Sequence, residues 1–276
     1  MLPTSILVPV DFSDYSRTAL RFAARLAHQC GAQLHVLHVQ APLLEAASRA
    51  RGIDADEETR AELTAFMQEA APADDWLPLH HVASGAPADV IGLEAARHHA
   101  DLIVLGPHGL SRLQRTLLGS TSEGVVRHAQ TPVAVVPLAW APVDDQKVDL
   151  QGTGPVVVGL DDPESSQDTL RAAADLATTL QTDLQVVHVI ATADEATAAR
   201  EALASLLRAH DARAAITLHV VVGKPATALL GFVSPPSMQR ALLFLGPHSV
   251  RGSRDTRLDV LHLLATCHVP VILGRA

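Results

Sequence analysis

Three glycines in the first half of the chain have a spacing suited to holding a phosphate group. They are arranged as Gly106-x2-Gly109-x9-Gly119, and Ser120 follows directly, before a predicted helix that starts near Thr121. Glycines let backbone N–H groups approach an anion closely, and a helix N-terminus adds unpaired donors and a partial positive charge. The motif therefore predicts phosphate binding by this loop.

The same segment also has a purely structural interpretation. Residues 120–123, Ser-Thr-Ser-Glu, fit a capping box, in which Ser120 and Glu123 satisfy the N–H groups of the helix itself. A capping box explains Ser120 without a ligand but leaves the two earlier glycines of the motif unexplained. Two arginines of the loop, Arg112 and Arg115, would either neutralise phosphate charge or be solvated. From spacing alone, both interpretations stay open.

Known enzyme signatures are absent from the sequence. Gly223-Lys224 is followed by Pro225, so it is not a G-x-x-x-x-G-K-[ST] loop, and neither H-E-x-x-H nor G-x-S-x-G occurs. Gly152-x-Gly154 precedes a predicted strand and lacks a third glycine, which excludes a dinucleotide-binding fingerprint. The sequence therefore predicts no catalytic residue, and whether the protein is an enzyme stays open.

Fifteen histidines raise the question of a metal site. The nearest pairs diverge, because adjacent residues on a strand or near a helix end point apart, as do residues three apart on a strand. These pairs are His80 with His81, His98 with His99, and His35 with His38. With no helical i, i+4 pair and no C-x-x-C, we predict no metal site and expect solvated or singly hydrogen-bonded histidines. A zinc site assembled between domains is the alternative left open.

The elements that must position the glycine loop occur twice along the chain. Five segments of the first half match five of the second in the same order, which indicates a duplicated domain. The matches are 5–13 with 155–163, 33–39 with 183–189, 84–88 with 222–226, 102–109 with 242–249, and 132–136 with 270–274. We therefore predict domains at 1–138 and 155–276, joined by a linker at 139–154 that has turn residues, charges and no period.

Each half alternates apolar runs with amphipathic helical patterns. One helix in each half has apolar residues at helical spacing: Tyr15, Ala19, Phe22 and Leu26 in the first, and Leu170, Ala173, Ala177 and Leu180 in the second. The strand segments are continuously apolar, which is typical of parallel sheets covered by helices on both faces. The sequence predicts an α/β fold with two tandem, doubly wound domains, each built on a five-stranded parallel sheet.

Composition narrows the range of partners. The chain has 276 residues and a formal net charge of −9, and only 3% of its residues are aromatic, so it offers neither a basic field nor stacking platforms for nucleic acid. No apolar run approaches the roughly 18 residues of a membrane helix, and the N-terminus shows no signal-peptide pattern. Two cysteines, Cys30 and Cys267, form no disulfide framework. We therefore expect a cytoplasmic protein that binds neither nucleic acid nor membranes.

The glycine motif, the opening segment I-L-V-P-V-D-F-S and the segment H-A-Q-T-P-V-A-V-V resemble the universal stress protein family. The similarity covers nearly the whole chain twice, as in tandem members of that family. It implies an adenine nucleotide alpha hydrolase-like fold, ATP as ligand with or without Mg²⁺, and at most slow ATP hydrolysis with no identifiable general base. It also implies that the final strands of the two domains associate as an intramolecular pair that mimics a dimer, and it allows a homodimer of such chains.

The resemblance also assigns roles to residues in the first half. Pro9, Val10 and Asp11 would face the adenosine, with Asp11 near the ribose and the adenine. Val39 would meet the adenine edge through its backbone. Gly106 would lie by the ribose. The phosphates would be held by Gly109, Gly119, Ser120 and Thr121. Proline at position 107, where the family often has a small residue, removes one N–H donor.

The second half departs from the motif. Gly246 and Asp161 are kept, but Ser249 replaces the second glycine, Asp259 stands where Gly119 would be, and Val260 stands where Ser120 would be. A carboxylate about 4 Å from a phosphate costs on the order of 4 kcal/mol at an effective dielectric constant of 20. We therefore predict nucleotide in the first half only.

Two functions of different classes fit these observations. One is a nucleotide-binding stress-response or signalling module. The other is an interaction protein that keeps the tandem fold as a platform, with a residual glycine loop and no nucleotide.

Overall fold

The computed structural model describes residues 2–40, 55–70, 78–109, 117–140, 150, 152–160, 167–208, 214–246 and 254–275. The chain forms two compact units. Pro3–Leu138 makes up most of the N-terminal unit, and Leu150–Ala276 makes up most of the C-terminal unit. Most of the predicted linker at 139–154 lies outside the described residues, as do Arg112, Arg115, Asp161 and Ser249.

The N-terminal unit alternates strands and helices. Its elements are β1 (Ser5–Val10), α1 (Asp14–Cys30), β2 (Gln33–Gln40), α2 (Ala55–Ala70), β3 (Leu79–Ser84), α3 (Pro87–Arg97), β4 (Leu102–Leu105), α4 (Ser120–His128) and β5 (Val133–Val135). The strands pair in the order β3-β2-β1-β4-β5 and are all parallel. Chain order reverses between β1 and β4, which creates a crevice at the carboxyl ends of these two strands.

The C-terminal unit repeats this plan. Its elements are β6 (Val156–Leu160), α5 (Gln167–Leu180), β7 (Leu184–Ile190), α6 (Ala196–Arg208), β8 (Ile216–Val222), α7 (Pro225–Val233), β9 (Leu242–Leu245), α8 (Arg254–Thr266) and β10 (Val271–Leu273), with short 3₁₀ turns at Ala193–Glu195 and Pro236–Met238. The parallel order β8-β7-β6-β9-β10 matches that of the first unit. The predicted fold class is confirmed in both units.

The sheets are buried because helices cover them. Ile6, Leu7 and Val8 of β1 and Ile103 and Val104 of β4 are fully buried. The predicted apolar faces of the helices are also buried, except that Tyr15 is only half-buried. Among the described residues, no helix is long and apolar enough to cross a bilayer.

Helix α1 is fixed at both ends by local sequence. The Ser13 hydroxyl caps its start by accepting from the Ser16 N–H at 3.2 Å, and Gly31 ends it in the left-handed conformation at φ 67°. Because its start follows β1 after three residues, α1 sets the position of the β1–α1 turn at the crevice.

Candidate functional site

A cavity of about 290 Å³ opens in the N-terminal unit at the carboxyl ends of β1 and β4. This volume is close to the lower end of the roughly 300–1,000 Å³ common for small-molecule sites. All nine residues singled out from the sequence line it, namely Pro9, Val10, Asp11, Val39, Gly106, Gly109, Gly119, Ser120 and Thr121. Residues from three strands and one helix start are thus brought to one place by the strand order.

The Asp11 carboxylate is held in a fixed orientation at the cavity edge. Its Oδ1 accepts from the Ser13 hydroxyl at 2.6 Å and from the Ser13 N–H at 3.2 Å. The Asp11 N–H donates to the Ser16 hydroxyl at 3.4 Å. Because Oδ1 is occupied by the turn itself, Oδ2, which faces Gly109, is the oxygen turned toward the glycine loop.

The turn that presents Asp11 has an uncommon backbone conformation. Phe12 has φ 65°, a region that bulky residues rarely adopt. The Phe12 ring stacks on His38 with ring centroids 4.5 Å apart and meets Phe66 edge-on at 5.5 Å. His38 in turn holds the Val10 carbonyl through its Nδ1 at 2.8 Å. These aromatic contacts keep the turn in the conformation that places Asp11 at the cavity.

The first two glycines of the motif are required by close approach. A Cβ at Gly106 would lie 2.9 Å from the Cβ of Tyr15 and 3.1 Å from its backbone. A Cβ at Gly109 would collide with the Asp11 carboxylate. Gly106 is therefore explained by packing against α1, and Gly109 by its close contact with the Asp11 side chain in the cavity.

The start of α4 differs from the predicted capping box. Gly119, not Ser120, is the N-cap, with φ −63° and ψ 150°, and no side chain caps this end. The Glu123 side chain binds Arg127 at 2.7 Å instead of turning back to the helix start. The Ser122 hydroxyl donates to the Gly106 carbonyl at 2.8 Å. The capping interpretation of Ser120 was wrong, because the loop fixes Gly119 in extended backbone and moves the cap one residue earlier.

Backbone donors at this helix start face the cavity, but Gly119 is not one of them. The Gly119 N–H donates to the Pro107 carbonyl at 2.8 Å, which closes the glycine loop. The expected phosphate donor at Gly119 is therefore already engaged. The N–H groups of Ser120, Thr121 and Ser122 belong to the first helical turn and have no carbonyl four residues back within the helix. All three residues line the cavity; Ser120 and Thr121 also carry hydroxyl groups there, whereas the Ser122 hydroxyl is engaged by the Gly106 carbonyl.

The cavity also contains residues that sequence reasoning missed. They are Ser16, Pro87, Ile91, Leu105, His108 and Ser122. His108 lies inside the glycine loop and packs its ring edge-on against Tyr15 at 5.2 Å. The position of His108 between two glycines of the motif could have identified it from the sequence. Ser16 could have been identified from its place at the start of the amphipathic helix that follows Asp11. Pro87 and Ile91 come from α3, and nothing in the local sequence links that helix to the loop.

The matching segment of the C-terminal unit has a different local structure. Helix α8 begins at Arg254, so Asp259 and Val260 lie inside the helix, not at its start. Asp259 is exposed and Val260 is buried. Backbone N–H groups within a helix are already hydrogen-bonded to the preceding turn, so those of Asp259 and Val260 cannot bind a phosphate. The second unit lacks the phosphate donors at this position for that reason, and not because of repulsion by Asp259.

Three histidines of the N-terminal unit converge, although the sequence predicted no metal site within a unit. They are His35 of β2, His81 of β3 and His98 at the end of α3, and their ligand atoms lie within 4.8 Å of one another. The prediction compared histidines within one element, whereas these three come from three elements. The expectation of single hydrogen bonds holds for His38 and for His188, which bonds the Leu160 carbonyl at 2.7 Å.

The pKa values of two histidines in this cluster are lowered. Burial and the neighbouring His98 lower the pKa of His35. Burial, followed by His98 and His35, lowers the pKa of His81 to about 4, although Glu94 acts in the opposite direction.

The two cysteines are packed thiols. Burial, with a contribution from Asp101, raises the pKa of Cys30 to about 11. Burial raises the pKa of Cys267 to about 11 as well, against hydrogen bonds from the backbone. Neither thiol has the lowered pKa that marks a reactive cysteine.

Comparison with known proteins places the first unit in a family. A sequence profile described as the universal stress protein family matches residues 4–137. A universal stress protein of Thermus aquaticus is 35% identical over 140 residues, which cover 48% of this chain and 97% of that protein. A universal stress protein of Mycobacterium tuberculosis is 30% identical over 201 residues, which cover 66% of this chain and 62% of that protein.

A solved structure shows the same fold along the chain. The crystal structure of a universal stress protein from Archaeoglobus fulgidus has a TM-score of 0.71 and 20% sequence identity. The match covers 99% of this chain and 98% of that one.

Proposed function

Because the chain belongs to the universal stress protein family, we propose that it is a stress-response or signalling module that binds an adenine nucleotide in the cavity of its N-terminal unit, with ATP as the ligand. The observation that carries the proposal is the convergence of all nine predicted residues on one cavity at the switch point of the sheet. In α/β sheets of this kind, ligands bind at the carboxyl ends of the strands where chain order reverses.

The phosphates would be held at the start of α4. The N–H and hydroxyl groups of Ser120 and Thr121 supply donors, and the helix N-terminus favours negative charge there. Gly109 and Gly119 line the cavity beside this helix start and carry no side chain that could extend into it. Mg²⁺ would accompany the phosphates if ATP binds as its magnesium complex.

The nucleoside would lie toward β1 and β2. The Asp11 carboxylate, oriented by Ser13, would accept hydrogen bonds from the ribose hydroxyl groups. The Val39 backbone would meet the adenine edge, and the Ile91 side chain of α3 would add an apolar wall. These contacts give a site selective for a nucleoside with attached phosphates.

The proposed output is binding, with hydrolysis at most slow. Among the described residues that line the cavity, the side chains that titrate are Asp11 and His108. Asp11 is bonded to Ser13, and His108 packs on Tyr15. We propose that occupancy by ATP, rather than its turnover, carries the signal.

The alternative is an interaction protein without nucleotide. One observation favours it, since Gly106 is required by contact with Tyr15 whether or not a ligand binds. Gly109 does not distinguish the two functions, because its close contact with the Asp11 carboxylate requires a glycine with or without a ligand.

The test is the ligand content and ATP titration of the full-length protein. We expect mass spectrometry of the small molecules released from purified protein to detect ATP or a breakdown product. We expect calorimetric titration of stripped protein to give about one ATP per chain. A protein that is empty on purification and does not respond to ATP supports the interaction platform instead.

Location and assembly are also proposed here. The absence of a disulfide framework and the raised pKa of both thiols suit a reducing, cytoplasmic setting. The association of the two final strands within the chain, and a homodimer of chains, stay predictions from the sequence repeat. Light scattering coupled to size-exclusion chromatography tests the homodimer, for which we expect twice the mass of one chain.

A further inference from the structure

We propose that His35, His81 and His98 form a binding site for a divalent transition-metal ion of the Zn²⁺ class, separate from the nucleotide cavity. The three imidazoles belong to three elements of the N-terminal unit and meet at one point. None of them lines the cavity described above. The proposal therefore stands independently of nucleotide binding.

The spacing of the imidazoles suits a shared ion. In a tetrahedral site with bonds of about 2.0–2.1 Å, ligand nitrogens lie roughly 3.3 Å apart. Here His35 Nδ1 lies 3.1 Å from His81 Nε2, and all three ligand atoms lie within 4.8 Å of one another. Small rotations of the side chains would bring the third nitrogen to the same distance.

The fold places these rings together with little freedom. In the parallel register of β2 and β3, His81 lies opposite Leu37, so His35 and His81 lie on the same face of the sheet. His98 follows the last residue of α3 and stacks on both, with ring centroids 4.6 Å from His35 and 4.1 Å from His81. Two strands and one helix end thus fix the three ligands before any ion arrives.

A carboxylate supports the third histidine. Glu94 Oε2 lies 3.1 Å from His98 Nε2, and both side chains are largely buried, at 15% and 18% exposure. Metal-bound histidines commonly pair with a carboxylate, which orients the ring and raises its basicity. The residual exposure of His98 also leaves a route for the ion and for a water molecule as the fourth ligand.

The chemistry of the donor set selects the ion. Three imidazoles with an open fourth position are a ligand set for Zn²⁺, whereas Ca²⁺ and Mg²⁺ require oxygen ligands. His35 is only 7% exposed, so the site is largely shielded from solvent on the side of β2.

The duplicated unit indicates that the sheet does not need this cluster to fold. Gln185 pairs with Val157 in the register where His35 pairs with Leu7. His219 pairs with Val187 in the register of His81. The C-terminal unit therefore carries a glutamine at the register position of His35, which makes His35→Gln the substitution chosen for the test.

The experiment measures Zn²⁺ binding to the full-length protein. The protein is purified without a histidine tag, stripped with a chelator and titrated with Zn²⁺ against a chromogenic chelator in nucleotide-free buffer. We expect one Zn²⁺ per chain, and Co²⁺ in its place to give visible absorption bands of a tetrahedral site. His35→Gln and His98→Gln should each weaken Zn²⁺ at least about 100-fold, since even partners of metal ligands cost roughly 10–100-fold when replaced.

Two further variants complete the test. His80 is exposed, neighbours His81 and points to the other face of the strand, so His80→Gln should leave Zn²⁺ affinity unchanged. Glu94→Gln should weaken Zn²⁺ binding roughly 10–100-fold if the carboxylate orients His98. Circular dichroism checks that each variant is folded. If His35→Gln does not fold, the test uses His98→Gln, because the side chain of His98 is less buried than that of His35. The proposal is overturned if the parent shows no saturable Zn²⁺ binding, or if His80→Gln loses as much affinity as folded His35→Gln or His98→Gln.

Discussion

Replacing Gly119 with aspartate is expected to weaken ATP binding to the N-terminal unit nearly a thousandfold without unfolding it. The backbone at Gly119 has φ −63° and ψ 150°, which any residue adopts without strain. A Cβ there would lie 3.3 Å from His108 Cα and 3.4 Å from the Pro107 carbonyl oxygen, so these neighbours must move by a few tenths of an ångström. Aspartate is also a favoured N-cap residue. The variant should therefore fold and keep α4.

The loss of affinity has two sources at the same helix start. An N-cap carboxylate accepts from the N–H of the second or third helical residue, here Thr121 or Ser122, and so occupies donors proposed for phosphate. The carboxylate also repels the phosphate. At about 4 Å and an effective dielectric constant of 20, two unit charges interact with roughly 4 kcal/mol, which corresponds to nearly a thousandfold in affinity.

The assay is calorimetric titration with ATP at fixed ionic strength, because salt screens the repulsion. Gly119→Asn is the matched control, since it has nearly the same shape and capping ability without the charge. We expect the asparagine variant to lose less affinity than the aspartate variant, and the difference between them to shrink as salt is added. Circular dichroism and thermal unfolding confirm that both keep the helix.

The reverse substitution tests the assignment of one site per chain. Asp259 lies within α8, so Asp259→Gly removes the charge but creates no helix start, and it costs only about 0.3 kcal/mol in helix propensity. ATP affinity and stoichiometry should stay as in the parent. The reasoning is refuted if Gly119→Asp binds ATP as tightly as the parent, or if the parent binds close to two ATP per chain.

Three further predictions concern packing, capping and thiol chemistry. Gly106→Ala should lower the free energy of unfolding by roughly 1–3 kcal/mol, because the new methyl group meets Tyr15 at 2.9 Å, and urea unfolding that shows no loss would contradict this packing. Ser13→Ala should lower the free energy of unfolding by about 1 kcal/mol, because it removes the cap of α1. It should also weaken ATP binding, because the Asp11 carboxylate loses its hydrogen bond of 2.6 Å to the Ser13 hydroxyl. An unchanged ATP affinity would mean that this carboxylate does not contact the ligand. Cys30 and Cys267 have pKa values raised to about 11, so at pH 8 their alkylation in the folded protein should be on the order of 100-fold slower than that of a free thiol. The rate should rise about tenfold per pH unit up to pH 11. Alkylation is followed by mass spectrometry, and fast alkylation at pH 8 would contradict the raised pKa values.

The sequence was sufficient to predict the tandem α/β fold, and the nine residues that it named all line one cavity. Continuously apolar strands predict a parallel sheet because both faces must be covered. The carboxyl ends of parallel strands then meet on one edge, so residues that follow different strands can be placed together without coordinates. Asp11 after β1 and Gly106 after β4 were found in this way.

Features that depend on contacts between secondary-structure elements could not be predicted from the sequence. The N-cap lies at Gly119 because its N–H is bonded to Pro107, twelve residues earlier, and no local propensity contains that bond. Ile91 of α3 reaches the cavity for a similar reason, since helix packing and not sequence neighbourhood sets its position.

The histidine cluster is the clearest case of a decision made by tertiary structure. Within each strand or helix end, neighbouring histidines diverge, and the local geometry used in the prediction was correct. The pairing of β2 with β3 and the end of α3 above them bring His35, His81 and His98 within 4.8 Å. Local sequence fixes the direction of a side chain relative to its own element, whereas the distance between elements is set by strand register and packing.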